Sequence, residues 1–311
     1  MKAFFAPGKI LLTGEYLVLN GFESIALPTK WGQSMHVWEF DTPGNQHDFL
    51  IFEAKDIQNN IWFSCRFELP TFQVIDSDLQ SNTETIRLKQ IFQKADLAHW
   101  KIGKSYRIET KLDFNRVYGL GSSSTLITLM AEYLNLNALQ LQFEVFGGSG
   151  YDVAVGMIKK PIVYWLTEDD SNWQFWQMNT QLSQNWEVVF FGKKMDSRKS
   201  ISEVQDALNE IAEDDFYTAQ FDHILKLTKN ATDKLSMEAS LEMYQKLLSE
   251  SIHLKTPYEV LEISPVNGGL CKWLGAWGGD MILVNDVILN AYPEKFENYS
   301  KMKWNDLIIQ Q

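Results

Sequence analysis

Hydrophobic positions in the first 70 residues fall in short runs that fit strands. Residues 4–5 and 10–12 are apolar on either side of Pro7-Gly8, which reads as a turn. Residues 16–19 follow, then Asn20-Gly21, a hairpin signal. Residues 35–40, 49–54 and 61–69 are rich in β-branched and aromatic side chains, with polar turns between them. Residues 83–97 carry Ile86, Ile91, Phe92 and Ala95 at roughly helical spacing, and residues 105–112 alternate as a strand does. An apolar helix is expected over 126–134 and another over 151–157, with strands over 161–166 and 186–191. Residues 168–185 are polar and read as a boundary zone. Residues 202–212, 219–227 and 241–249 read as amphipathic helices with acidic outer faces, and 282–284 and 287–289 as strand-like pieces. Strands and helices interleave without strict alternation, which predicts an α+β fold rather than a doubly wound sheet.

Composition narrows the partners more than the fold. The 311 residues predict two domains or one large one. Hydrophobic residues at 45% and charged residues at 22% place the chain among globular proteins and exclude a disordered or fibrous state. A net charge of −12, with no basic run longer than two, disfavours nucleic acid and anionic membranes. The two cysteines, Cys65 and Cys271, have no zinc-ligand spacing and suit a reducing compartment. No apolar run approaches the ~18 residues of a membrane span, and residues 1–5 are too few for a secretory core. A soluble cytoplasmic protein is expected.

Four segments carry candidate chemistry. Gly119-Leu120-Gly121 is followed by Ser122, Ser123 and Ser124 and then by the apolar helix. Backbone N–H groups at a helix start attract an anion, and glycine lets a phosphate approach. The spacing fits neither a Walker A loop nor a dinucleotide fingerprint. An ordinary serine helix cap is the bland alternative. The second segment runs from Ala6 to Tyr16; Lys9 there either projects into a cleft or sits exposed. In the third, Ser149-Gly150-Tyr151-Asp152, the aspartate is a helix cap or a general base. The fourth runs from Lys272 through Gly275, Ala276, Gly278 and Gly279, a loop that approaches something or a set of tight turns.

Taken in order, the four segments resemble the motifs of the GHMP kinase superfamily, the galactokinase, homoserine, mevalonate and phosphomevalonate kinases. Residues 6–16 resemble its first motif, Gly119 to Ser123 its Gly-Leu-Gly-Ser-Ser loop, and Lys272 to Gly279 its third motif. Ser149 to Asp152 resemble the Ser-Gly-x-Asp element of the mevalonate branch. The chain departs from the pattern at Trp277 and Asp280, where the family has small residues. Asp280 is expected to point away from a phosphate. The family's magnesium-binding glutamate has its nearest candidate in Glu144, at an offset that does not match well.

The resemblance implies a two-domain α+β fold. Residues 1–180 would form an amino-terminal ATP-binding domain like domain 2 of ribosomal protein S5, and residues 181–311 a ferredoxin-like domain. ATP would lie in the cleft between them. It also implies ATP- and Mg²⁺-dependent phosphoryl transfer to a small hydroxyl or phosphate acceptor, which depends on positioning and charge neutralisation. By that reading Gly119, Leu120, Gly121, Ser122, Ser123 and Ser124 hold the triphosphate, with Gly275, Ala276, Gly278 and Gly279 packed against it. Ser123, and less surely Ser122, ligates Mg²⁺. Asp152 takes or orients the acceptor proton and Lys9 keeps it ionised. Glu15, Tyr16, Ser149, Gly150 and Lys272 contact the acceptor. Gly14-Glu15-Tyr16, residues 148–153 and the Asp196-Ser197-Arg198-Lys199 segment lean towards phosphomevalonate kinases. A kinase for another small alcohol and a catalytically silent nucleotide-binding relative are the alternatives. The partner is a small molecule, and a homodimer is left open.

Overall fold

The computed structural model describes residues 1–311 except 45, 78–82, 169, 193–196, 276, 278, 279 and 311, and for 77, 197–201 and 203 it describes the backbone alone. Among the described residues twelve strands are present: β1 (Lys2–Thr13), β2 (Ser24–Asp41), β3 (Phe49–Lys55), β4 (Ile61–Glu68), β5 (Gln73–Ser77), β6 (Lys104–Leu112), β7 (Ile162–Leu166), β8 (Ser171–Phe175), β9 (Trp186–Phe190), β10 (Cys271–Leu274), β11 (Met281–Asn285) and β12 (Ser300–Lys303). The helices are α1 (Thr83–Gln93), α2 (Ser122–Leu134), α3 (Ala138–Val145), α4 (Tyr151–Ile158), α5 (Ser197–Glu213), α6 (Asp215–Lys229), α7 (Lys234–Ile252), α8 (Pro257–Leu261), α9 (Asp286–Ala291) and α10 (Trp304–Leu307). The fold is α+β, with a large sheet and a small one.

Two compact units interleave along the chain. The first comprises Met1–Gly8, Trp31–Arg116 and Leu120–Ile158; the second comprises Lys9–Lys30, Val117–Gly119 and Lys159–Gln311. This differs from a single division near residue 180, because β1 and β2 each contribute to both units.

In the first unit the strands run in the order β5-β4-β3-β6-β2. β2 and β4 are antiparallel to their neighbours, whereas β3 runs parallel to β6, with Phe52 beside Ile108. β3 and β4 alternate buried and half-buried positions, so one face enters the core. That core joins Phe52, Phe63 and Phe67 from the sheet to Leu88 and Phe92 of α1 and Ile127 and Met130 of α2.

In the second unit β10-β11-β9-β12 form an antiparallel sheet, and β7 pairs with β8 and with residues 24–26 of β2. β9, the α5–α7 helices, β10, β11, α9 and β12 follow in the sequence of a split β-α-β-β-α-β, the ferredoxin-like arrangement. The core contains Val189, Phe221, Tyr244, Leu248, Trp273 and Ile282. The open edge of β10 is closed by side chains of α7. Gln245 Nε2 donates to Cys271 O at 2.8 Å and its Oε1 accepts from Trp273 N at 2.8 Å, as a neighbouring strand would. Glu242 accepts from Cys271 N at 2.8 Å.

Three local expectations are corrected. Pro7-Gly8 is no turn: β1 runs through it, which proline permits because β1 pairs, among the described residues, with β2 alone. Asn20-Gly21 closes a 3₁₀ turn over Leu17–Asn20, with Gly21 left-handed at φ 84°. Residues 287–289 lie in α9, whose start is capped by Asn285 accepting from Ile288 N at 3.2 Å. Among the described residues no helix is long and apolar enough to cross a membrane.

Candidate functional site

The first unit holds the glycine–serine loop and the Asp152 segment. Gly121 stands before α2 in the left-handed region (φ 89°), a conformation that costs a side-chain-bearing residue ~1–2 kcal/mol. Among the described residues no side chain caps α2, and none accepts from the first-turn N–H groups of Ser122, Ser123 and Ser124. Those donors and the helix dipole leave an anion-attracting end. The three serines differ. Ser124 is buried, and its hydroxyl turns back to donate to Gly121 O at 2.9 Å. Ser122 is half-buried. Ser123 is exposed, and its hydroxyl has no hydrogen bond to a described residue. Leu120 is fully buried and anchors the loop from below.

α4 is seated by two glycines. A Cβ on Gly156 would fall 2.7 Å from Thr128 Oγ1 of α2, and one on Gly150, at φ 78°, would fall 3.1 Å from Leu139 and Phe143 of α3. Only glycine allows helices this close. Asp152, half-buried, lies in the first turn of α4 and accepts from Val153 N at 3.0 Å, while Ser149 is buried just before the helix. Within this unit, then, the loop serines and Asp152 sit at the amino-terminal ends of two packed helices. Glu144 lies on α3, held by Lys94 and by Gln140 Nε2 at 2.9 Å; these two partners pull its carboxyl below the usual range.

The second unit gathers the other motif residues. Lys9 Nζ donates to Gly119 O at 2.9 Å, joining the first motif to the first loop glycine. Asp280 is buried on the other side of Gly119, where an added Cβ would fall 2.6 Å from its Oδ2. The Asp280 carboxyl packs on the glycine whose carbonyl holds the Lys9 ammonium. Phe191 N donates to Asp280 O at 3.1 Å and fixes that backbone.

Gly14, Glu15 and Tyr16 are each tied down. Gly14 N donates to Tyr244 Oη at 3.0 Å, Trp277 N donates to Tyr16 Oη at 2.9 Å, and Lys272 Nζ donates to Glu15 Oε1. Glu15 is 1% exposed and Lys272 0%. Lys272 also donates to Trp273 O at 2.9 Å and lies over the Tyr244 ring. Burial pushes the Glu15 carboxyl up, and the Lys272 ammonium opposes that. The expectation that Glu15 and Lys272 touch an acceptor is therefore corrected, since both are enclosed and bound to one another. Gly275 follows β10 at φ 74°; Ala276, Gly278 and Gly279 lie outside the described residues.

Sequence reasoning missed the polar stripe of α7. Glu238, Glu242 and Gln245 share one face and are buried or nearly so, binding Trp186, Cys271, Trp273, Tyr258 and Asn285. Their i, i+4, i+7 spacing was the available signal. Burial raises Glu242 to about 7, although bonds from Cys271 N and Tyr258 Oη pull the other way. Among the described residues no cluster of three or more His, Cys, Asp or Glu could hold a metal.

No protein-family model and no curated protein matches the sequence. Solved structures do match over nearly the whole chain, and they are GHMP kinases. Methanococcus jannaschii mevalonate kinase shares 16% identity over 100% of this chain and 98% of its own, with a TM-score of 0.69. Streptococcus pneumoniae phosphomevalonate kinase, in complex with phosphomevalonate and AMPPNP, shares 13% over 97% and 100%, with a TM-score of 0.70. Lactococcus lactis galactokinase complexed with galactose shares 15% over 100% and 94%, with a TM-score of 0.58. At these identities the likeness is one of fold: the chain has the fold of the GHMP kinases.

Proposed function

We propose that the chain is an ATP-dependent phosphotransferase acting on a small acceptor of the mevalonate type. The observation that carries this reading is the start of α2, where three N–H groups and the Ser123 hydroxyl stay open behind a left-handed glycine. The nucleotide complex of the phosphomevalonate kinase relative supports ATP as the donor. The loop N–H groups bind the phosphates and Lys9 adds a cation at Gly119. Asp152 orients the acceptor hydroxyl and accepts its proton.

The exposed Ser123 oxygen suits a hard cation that takes its remaining ligands from phosphate and water, which fits Mg²⁺ better than a cage of protein ligands. When bound, the ion neutralises phosphate charge. Glu15, Lys272 and Tyr16 act as supports beneath the first motif and the third glycine loop, with no direct part in the chemistry.

The test is ADP release from ATP-Mg²⁺ against mevalonate, phosphomevalonate, diphosphomevalonate, homoserine, galactose and glycerol. Turnover is expected on mevalonate or phosphomevalonate. Asp152→Ala should lower it by ~10²–10⁴-fold with nucleotide affinity little changed. Turnover confined to homoserine or galactose would replace the acceptor class. Nucleotide binding without turnover would point to a silent relative, and absence of nucleotide binding would overturn the reading.

A further inference from the structure

At the carboxyl-terminal end of α2 the first unit contains a cavity of about 390 Å³, lined among others by Lys2, Glu39, His99, Lys101, Tyr106 and Tyr133. Tyr133 lies eleven residues after Ser122 on the same helix, which places it ~16 Å from the glycine loop. This cavity is therefore separate from the candidate nucleotide-binding end, and a ligand bound there is independent of the kinase reading.

Its chemistry is that of an anion receptor with aromatic walls. Lys2 Nζ lies 5.8 Å from the centroid of the Tyr133 ring and has no carboxylate partner among the described residues. His99 packs edge-on against Tyr133, with centroids 4.7 Å apart, and against Trp100 at 4.8 Å. No described residue hydrogen-bonds its ring nitrogens. Lys101 Nζ donates to both oxygens of Glu39, at 3.0 and 3.1 Å, and that is the one carboxylate lining the cavity among the described residues. Tyr106 Oη is occupied: it accepts from Lys101 N at 3.0 Å and donates to His99 O at 3.3 Å. Two ammonium groups and an imidazole thus face one carboxylate in a protein of net charge −12. Burial lowers the His99 imidazole, and Lys2 and Lys101 lower it further against Glu39. The site holds an excess of positive charge beside unpartnered donors, and a helix carboxyl terminus tolerates such cations well.

We propose that this cavity binds a small phosphate monoester. The oxyanion would take Lys2, His99 and a share of Lys101, and the apolar body would lie against Val37 and the tyrosine rings. Oxyanions recognise clustered ammonium groups through charge-assisted hydrogen bonds. The cavity falls within the ~300–1,000 Å³ range of small-molecule sites, which leaves room for more than the phosphate.

The test follows the His99 ring resonances by NMR, assigned with His99→Gln, in the intact chain at constant ionic strength. The probes are inorganic phosphate, phenyl phosphate and acetate. Saturable shifts are expected with both phosphates and a rise in the His99 pKa on binding. Phenyl phosphate should bind at least about tenfold more tightly than inorganic phosphate if the aromatic walls take part. Lys2→Ala should weaken binding about tenfold, the loss of one charge-assisted bond. Glu39→Gln, which frees Lys101, should strengthen it, a gain that misfolding cannot imitate. Shifts that do not saturate, equal response to acetate, or affinities unmoved in both variants would overturn the proposal and leave the lysines as partners of the helix end alone.

Discussion

The two units prepare their motif residues in opposite ways. In the first, the start of α2 is built by omission: no cap, a glycine in the left-handed region and N–H groups with no described acceptor. In the second, residues 14–16 and Lys272 are built by enclosure, bound to other parts of the same unit, although Glu15 Oε2 is left buried without a hydrogen bond among the described residues. Open donors suit a ligand that arrives later, and a closed network suits a scaffold that must not move. The difference explains why the same family resemblance falls on open residues in one unit and on buried ones in the other.

The sharpest way to break this contrast is to unbalance the closed network. Lys272→Met removes the ammonium from an enclosed carboxyl, and breaking a buried pair in this way costs about 3–5 kcal/mol. Urea unfolding should show that loss, with part of it recovered in Lys272→Met/Glu15→Gln. A loss under ~1 kcal/mol would mean the pair is not what closes the unit.

A smaller effect, of defined sign, comes from Glu242. Its folded value is raised from 4.5 to about 7, so the native state keeps a proton that the unfolded chain has released. Stability contributed by this group is therefore complete below about pH 4.5 and is lost as the pH rises towards 7, by at most ~3 kcal/mol. Glu242→Gln should flatten that part of the pH–stability curve and unfold at higher urea than the parent at pH 8. An unchanged slope would show that Glu242 is not the titrating group.

The smallest stability effect is expected in the open half. Gly121→Val forces a β-branched residue into the left-handed region at a cost of ~1–2 kcal/mol. The same change should weaken ATP binding by more than tenfold in calorimetry, so ligand affinity suffers more than the fold. Equal affinity would make the loop a purely structural turn.

Much of this was legible in the sequence, for local reasons. The Gly-Leu-Gly-Ser-Ser loop was readable because a helix start after glycine is set by neighbouring residues, and α2 and α4 lie where the apolar runs place them. β3 and β4 followed from their β-branched and aromatic content, and β6 from alternation. What failed was decided by distant partners. Nothing near Glu15 announces that Lys272, 257 residues away, will enclose it. Pro7-Gly8 reads as a turn until β2 pairs with the strand that runs through it. The packing of Asp280 on Gly119, where the absence of a side chain leaves room for a carboxyl, is likewise a contact between residues far apart in the chain.

The long reach of the Glu15–Lys272 and Tyr16–Trp277 contacts also sets a timetable for synthesis. At ~5–20 residues per second, a ribosome delivers Lys272 roughly 13–50 s after Glu15. Residues 9–30 belong to the same unit as Lys272 and must wait for it. During that interval Tyr16 and Leu17 lack the core partners that β10, β11 and α7 later supply.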